Sequence, residues 1–265
     1  MRSPSFSLHL APVLICLLAS CAMVREHSYG DECDGPWRAT RRGTFAIEQA
    51  FGIASVYKVD STVAISDANF GEPSQLHGDL EGKFGAALAG EYYALDDLAL
   101  FLGAELRVFE PDLGTDLIQF GDIQQNEFFL GTRWFLPICS RWSQRLRPFL
   151  QTKLAYIPAV EFDMTTRVPF DPPLNDAVMV ASFKGSSYWT LGAGGGLAYQ
   201  WSKAWLVSLG FFYEWPLGES SGHSAARLTQ STGNDFVDDI FNSLEYDTTL
   251  EPEGWIAFLR ISYGF

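Results

Sequence analysis

The chain's 265 residues suffice for one large β domain or a modest barrel with long loops. Aromatics at 15%, 24 glycines and only 19% charged residues suit an all-β protein with tight corners. A net charge of −14 leaves no basic face for phosphates, which excludes nucleic acid as a partner.

Residues 1–21 read as an export signal: Arg2 supplies the positive charge, Leu8 to Leu18 the apolar core, and small residues follow. No other run approaches ~18 apolar residues, so no spanning helix is predicted. Leu18-Ala19-Ser20-Cys21 resembles a bacterial lipobox, which implies an acylated Cys21 at the mature N-terminus. The competing reading is ordinary cleavage after Ala22. Residues 22–43 are polar, carry Arg25, Arg38, Arg41 and Arg42, show no period and read as a periplasmic linker.

From residue 44 to 265 strand patterns recur. Phe45, Ile47, Phe51, Ile53 and Tyr57 alternate with Ala46, Glu48, Ala50 and Gly52. Leu80, Phe84, Ala86, Leu88 and Tyr92 alternate with Glu81, Lys83, Gly85 and Glu91. After the turn Asp96-Asp97, Leu98 to Val108 alternates with Gly103, Glu105 and Arg107 on the second face. Phe128 to Leu136, Leu150 to Tyr156, Trp189 to Tyr199, Trp205 to Trp215 and Trp255 to Phe265 repeat the scheme, making eight strands.

Connections alternate in length. Segments near 95–97, 138–147 and 202–204 are short or moderate, and those near 58–79, 110–125, 163–186 and 217–252 are long. Short turns at one end and long loops at the other predict an eight-stranded antiparallel up-and-down transmembrane barrel. The apolar set would face lipid, with Trp134, Trp189, Trp205, Trp215 and Trp255 in aromatic belts. The other set holds Glu48, Lys83, Glu91, Glu105, Arg107, Glu127, Arg133, Lys153, Glu214 and Arg260. An eight-stranded interior is just filled by side chains, so these charges are expected to pair as a lumen network.

The eight segments, the glycine-rich Leu191 to Tyr199 and the aromatic ending Tyr263-Gly-Phe265 resemble the small outer-membrane β-barrel superfamily of OmpA-type and OmpW-type barrels. The resemblance covers about Thr44 to Phe265. It implies a bacterial outer-membrane location, contact with outer-membrane lipid, and an assembly signal at Tyr263 and Phe265 read by the barrel-assembly machinery. In that topology Cys33 and Cys139 both face the oxidising periplasm, where they form either a disulfide or two unrelated thiols.

Chemistry is sparse. Lipid A deacylases, which are also barrels, use a Ser–His–acid arrangement. The nearest candidate is Ser221-Gly-His223-Ser224 with Asp235, Asp238 or Asp239, but the deacylase spacing is missing. No zinc spacing and no calcium-loop spacing appear, so neither a metal nor a cofactor is expected. Asn234 to Glu245 carries Phe236, Val237, Ile240, Phe241 and Leu244 at helical spacing. It predicts a short amphipathic helix that caps the barrel mouth or serves as a docking surface. Residues 217–252 hold seven acids and one base, Arg227, so an extracellular ligand would meet an acidic surface. The expected role is a scaffold presenting long acidic loops. A narrow pore or lateral conduit for small cationic or amphiphilic solutes is the first alternative, and a lipid-modifying enzyme the second.

Overall fold

The computed structural model describes residues 42–265 except 55–56, 66–73, 113–117, 122, 137–144, 203 and 252; side chains of 53–83, 110–118, 120 and 251 are also outside the description. Cys21, Cys33, Cys139 and the side chain of Lys83 therefore lie outside the described residues.

The chain rises through β1 (Phe45–Ala54) and β2 (Tyr57–Ile65) and descends through β3 (Ser74–Leu95). It rises again through β4 (Leu98–Asp112) and descends through β5 (Ile118–Phe120) and β6 (Ile123–Phe135). β7 (Leu146–Ile157) and β8 (Glu161–Val168) rise, and β9 (Ala177–Lys184) and β10 (Tyr188–Gln200) descend. β11 (Trp205–Pro216), β12 (Ser220–Ala225) and β13 (Arg227–Gln230) rise to the helix α1 (Asp235–Asn242). β14 (Leu244–Glu251) and β15 (Gly254–Gly264) return to the starting end.

Eight strands close on themselves in the order β1-β15-β11-β10-β7-β6-β4-β3, and β3 pairs back to β1. Every neighbour is antiparallel. Closure leaves no strand edge within the ring, the condition for crossing a bilayer with strands. Among the described residues no helix is long and apolar enough to cross a membrane.

The outward face is apolar. Leu88, Leu102, Phe128, Leu130, Leu150, Leu197, Leu209 and Leu259 are exposed. Trp205 and Tyr263 meet at a tilt near the end that holds the short turns, their ring centroids 4.9 Å apart. Tyr213, Trp215 and Trp255 cluster near the other end. Trp205 pairs in register with Tyr263, and Tyr213 with Trp255, eight residues further along β11. At ~3.3 Å per residue that is about 26 Å of strand, close to the ~25 Å apolar band of an outer-membrane barrel.

The segments expected as long loops are strands. β2, β14 and β12 extend the closed sheet beyond the aromatic girdle, and β13-β9-β8-β5 form a second sheet. Each continues a barrel strand: β1 into β2, β7 into β8, β11 into β12, and so on, with short breaks near residues 121, 158–160, 185–187 and 217–219. β3 and β4 pass this waist unbroken, with a register irregularity between Gly82 and Phe84. The strand run Ser220–Gln230 bends at buried Ala226, so its first part pairs with β14 and its last part with β9. Above the girdle, then, stands a folded outer storey.

Burial in the two storeys is reversed. In β8 and β9, Phe162, Met164, Ala177, Met179, Ala181 and Phe183 are buried, while Asp163, Arg167, Ser182 and Lys184 are exposed. The joints make this possible. Ile157 and Val160 are both buried three residues apart, as are Phe183 and Tyr188 five apart, so each joint shifts the inward phase by one residue.

Candidate functional site

The lumen of the barrel holds two ionic clusters. In the one nearer the short turns, Arg133 Nη1 donates to Glu48 Oε2 at 2.8 Å and to Glu91 Oε1 at 2.6 Å. Arg260 Nε meets Glu48 Oε1 at 2.5 Å, and Arg260 Nη2 donates to Gln151 at 3.2 Å. Tyr93 donates its hydroxyl to Glu91 at 3.0 Å. These groups come from β1, β3, β6, β7 and β15, so the cluster ties opposite walls of the barrel together.

The second cluster is centred on Arg107. Its guanidinium donates to Glu105 at 2.8 and 3.0 Å and to Glu214 at 2.6 and 3.0 Å, and lies 3.0 Å from Glu127. Lys153 Nζ donates to Glu127 at 2.6 Å and contacts Glu214 at 2.5 Å. Glu105 and Glu127 stand directly opposite in register. Like charges so placed repel, and the shared cations Arg107 and Lys153 hold them. Lys153 and Glu214 flank Gly192 in one row, and the missing side chain there lets them meet. Nine of the ten charged residues assigned to the lumen thus fall into these two clusters; the tenth, Lys83, is outside the described side chains.

Phenylalanines share the lumen, a feature the charge pattern hid. The Lys153 ammonium lies 4.4 Å from the Phe212 ring centre, and the Arg260 guanidinium 4.3 Å from that of Phe258. Arg133 lies 5.1 Å from Phe101 and 5.5 Å from Phe149. Such contacts strengthen once the cation is desolvated. The rings fit because glycines face them. Phe101 is paired with Gly131 and Phe129 with Gly103. A Cβ on Gly131 would collide with the Phe101 ring and the Thr152 carbonyl, and one on Gly103 with the Phe129 ring and the Leu88 carbonyl.

At the waist an apolar septum crosses the interior. Phe109, Ile123, Ile157 and Tyr188 from the barrel strands pack with Val160, Phe162, Phe183 and Leu250 from the joints and outer strands. Above it Met164, Met179, Ala181, Ala226 and Tyr246 form the core of the outer storey. The helix α1 packs onto this outer core through Phe241, which also meets Phe170 edge-on at 5.9 Å. The sequence expectation that α1 caps the barrel mouth is corrected: strands and the septum close the mouth, and the helix belongs to the layer beyond. Asn234 caps α1 by accepting from the Phe236 and Val237 amides.

Among the described residues no serine hydroxyl is hydrogen-bonded to His223. His223 on β12 faces Asp247 on β14, with Nδ1 2.8 Å from the carboxylate. The hydrogen bond to Asp247 raises the His223 pKa above the ordinary histidine value. Ser221 makes its bonds through the backbone, to Ser186. Asp238 accepts from Ser231, from the Thr232 hydroxyl and from the Thr232 amide, which holds its carboxyl below the usual range. Among the described residues no group of three or more His, Cys, Asp and Glu side chains is placed to hold a metal.

At the chain's end, Phe265 donates its amide to the Phe45 carbonyl at 2.8 Å while its ring stays exposed against Tyr263. Both residues of the expected assembly signal therefore lie on the lipid-facing seam between β1 and β15.

No family model matches the chain, and no characterised protein matches it in sequence. Solved structures do. The outer membrane protein OprG from Pseudomonas aeruginosa is 14% identical, with 86% of this chain and 98% of that one covered and a TM-score of 0.59. A major outer membrane protein from Thermus thermophilus is 13% identical over 84% of this chain and 99% of that one, with a TM-score of 0.42. The N-terminal β-barrel domain of Pseudomonas aeruginosa OprF is 14% identical over 84% and 98%, with a TM-score of 0.37. The likeness to OprG concerns the fold: an eight-stranded outer-membrane β-barrel. With an apolar exterior and an ionic interior, the chain has the fold of an outer-membrane β-barrel.

Proposed function

We propose that this barrel is a closed membrane scaffold whose product is its outer storey: a rigid, acidic surface held outside the outer membrane for recognition. The observation that carries this reading is the filled interior. Two ion clusters, the phenylalanines between them and the septum leave no wide water-lined path among the described residues. The outer strands have a core of their own, and their exposed side chains include Glu161, Asp163, Asp235, Asp239 and Asp247. A surface of that sign favours a cationic ligand and disfavours anions.

Planar-bilayer recording tests the proposal. Purified protein should give no stepwise conductance; regular unitary steps would favour the narrow-pore alternative. The scaffold reading also assigns the protein no catalysis, so expression should leave the mass of lipid A unchanged. Outer-membrane lipid surrounds the barrel in this reading, and the assembly machinery takes Tyr263 and Phe265 as its handle. Phe265→Asp should then be exported but fail to reach the membrane, as read by fractionation.

A further inference from the structure

Arg260 is buried, yet neither its Nη1 nor its Nε has a hydrogen-bond partner: Nε only lies within ion-pair range of Glu48, while Nη2 donates to Gln151. It lines an internal cavity of about 30 Å³. The polar groups around that cavity are Arg260, Glu48 and Gln151 from one ion cluster and Glu105 and Lys153 from the other. Phenylalanine rings and the small residues Ala50, Gly52 and Ala87 close the rest.

Size and charge together select the occupant. A water needs about 10–15 Å³ of such space, so the cavity has room for about two. The lining carries two carboxylates and two cations. A bare anion would meet Glu48 and Glu105, and a bare cation would meet Arg260 and Lys153. An apolar occupant would leave Nη1 unmatched in a desolvated site. A neutral dipole that both donates and accepts fits all four.

We propose that this cavity is a built water site, in which one or two waters accept from Arg260 Nη1 and donate to the carboxylates, joining the two ion clusters into one polar column. The site makes the clusters energetically interdependent across the middle of the membrane.

Ala87→Val tests this on the full-length protein folded in detergent or vesicles, because its added methyls occupy the space a water would take. Displacing bound water should lower the unfolding temperature by about 3 °C or more. A dry cavity would respond in the opposite sense, since filling it adds contacts. In an Arg260→Met background the need for the water is gone, and the Ala87→Val loss should vanish. In the wild-type protein, the Ala50 and Ala87 methyls should show NMR cross-relaxation with long-lived water. An unchanged or raised unfolding temperature in Ala87→Val, a loss that persists beside Arg260→Met, or methyls without that cross-relaxation would each overturn the proposal.

Discussion

The barrel and the outer storey are stretches of the same strands with opposite insides. Below the waist, Arg133 and Glu91 are buried and Leu209 is exposed; above it, Met179 is buried and Lys184 exposed. The solvent outside each part accounts for the reversal. Lipid accepts leucine and rejects charge, so the barrel turns its charges inward and pairs them. Water accepts charge, so the outer storey buries methionine and phenylalanine as a soluble protein does. One joint residue, gained at 158–160 and again at 185–187, suffices to pass from one rule to the other.

The largest contrast concerns ion pairs. Arg133→Leu leaves Glu48 and Glu91 without their shared guanidinium, and breaking a buried pair costs about 3–5 kcal/mol. Arg167→Ala removes the exposed pair with Asp176 and should leave the denaturation midpoint unmoved. Guanidinium unfolding in vesicles compares the two, and equal losses would break the contrast. Next comes charge on the outside. Leu209→Lys on the lipid face should cost about 2–4 kcal/mol, while Val180→Lys on the outer storey should stay within about 0.5 kcal/mol.

Smaller effects sharpen the picture of the outer storey. Asn234→Ala removes the cap of α1 and should cost about 1 kcal/mol. It should be visible as faster hydrogen exchange at Phe236 and Val237, with the barrel amides unchanged. The smallest effect is a titration. His223 should protonate above the ordinary histidine value, and Asp247→Asn should bring it back down by NMR. Because the folded-state pKa is raised, the pair's contribution is complete below the unfolded-state pKa and fades as pH rises through the folded one. A His223 shift that is the same in both proteins would remove Asp247 as its cause.

The barrel was legible because lipid demands an unbroken apolar face. Trp255 to Phe265 carry an apolar residue at every second position of β15, and Phe45 to Ile53 do so along β1 except at Gln49. The lumen charges were legible for the same reason, since a charge in phase with small residues has only the interior to go to. The lumen rings were not, because Phe101 and Phe129 declare themselves only through their cross-strand partners Gly131 and Gly103. Pairing across strands is invisible to a period. The outer strands were missed for a third reason. Ala177-Val-Met-Val-Ala-Ser-Phe-Lys184 alternates buried and less buried positions, but valine on its outward side blurs the pattern. Its inward phase is also out of step with β10, so the lipid-facing alternation of the barrel does not extend into it.

The unbroken passage of β3 and β4 through the waist has a mechanical side. β7, β10 and β11 are interrupted at a joint before the outer strands, where a pull from outside would be taken up by bending. β3 and β4 offer no such slack. Their backbone pairs run from Asp79 and Asp112 down to Leu95 and Leu98, next to a turn where Asp96 accepts from the Arg42 amide and Asp97 from Arg147. A tension applied to whatever the outer storey holds would travel along this hairpin as along a tendon. It would arrive on the far side of the membrane at the point where the chain enters the barrel.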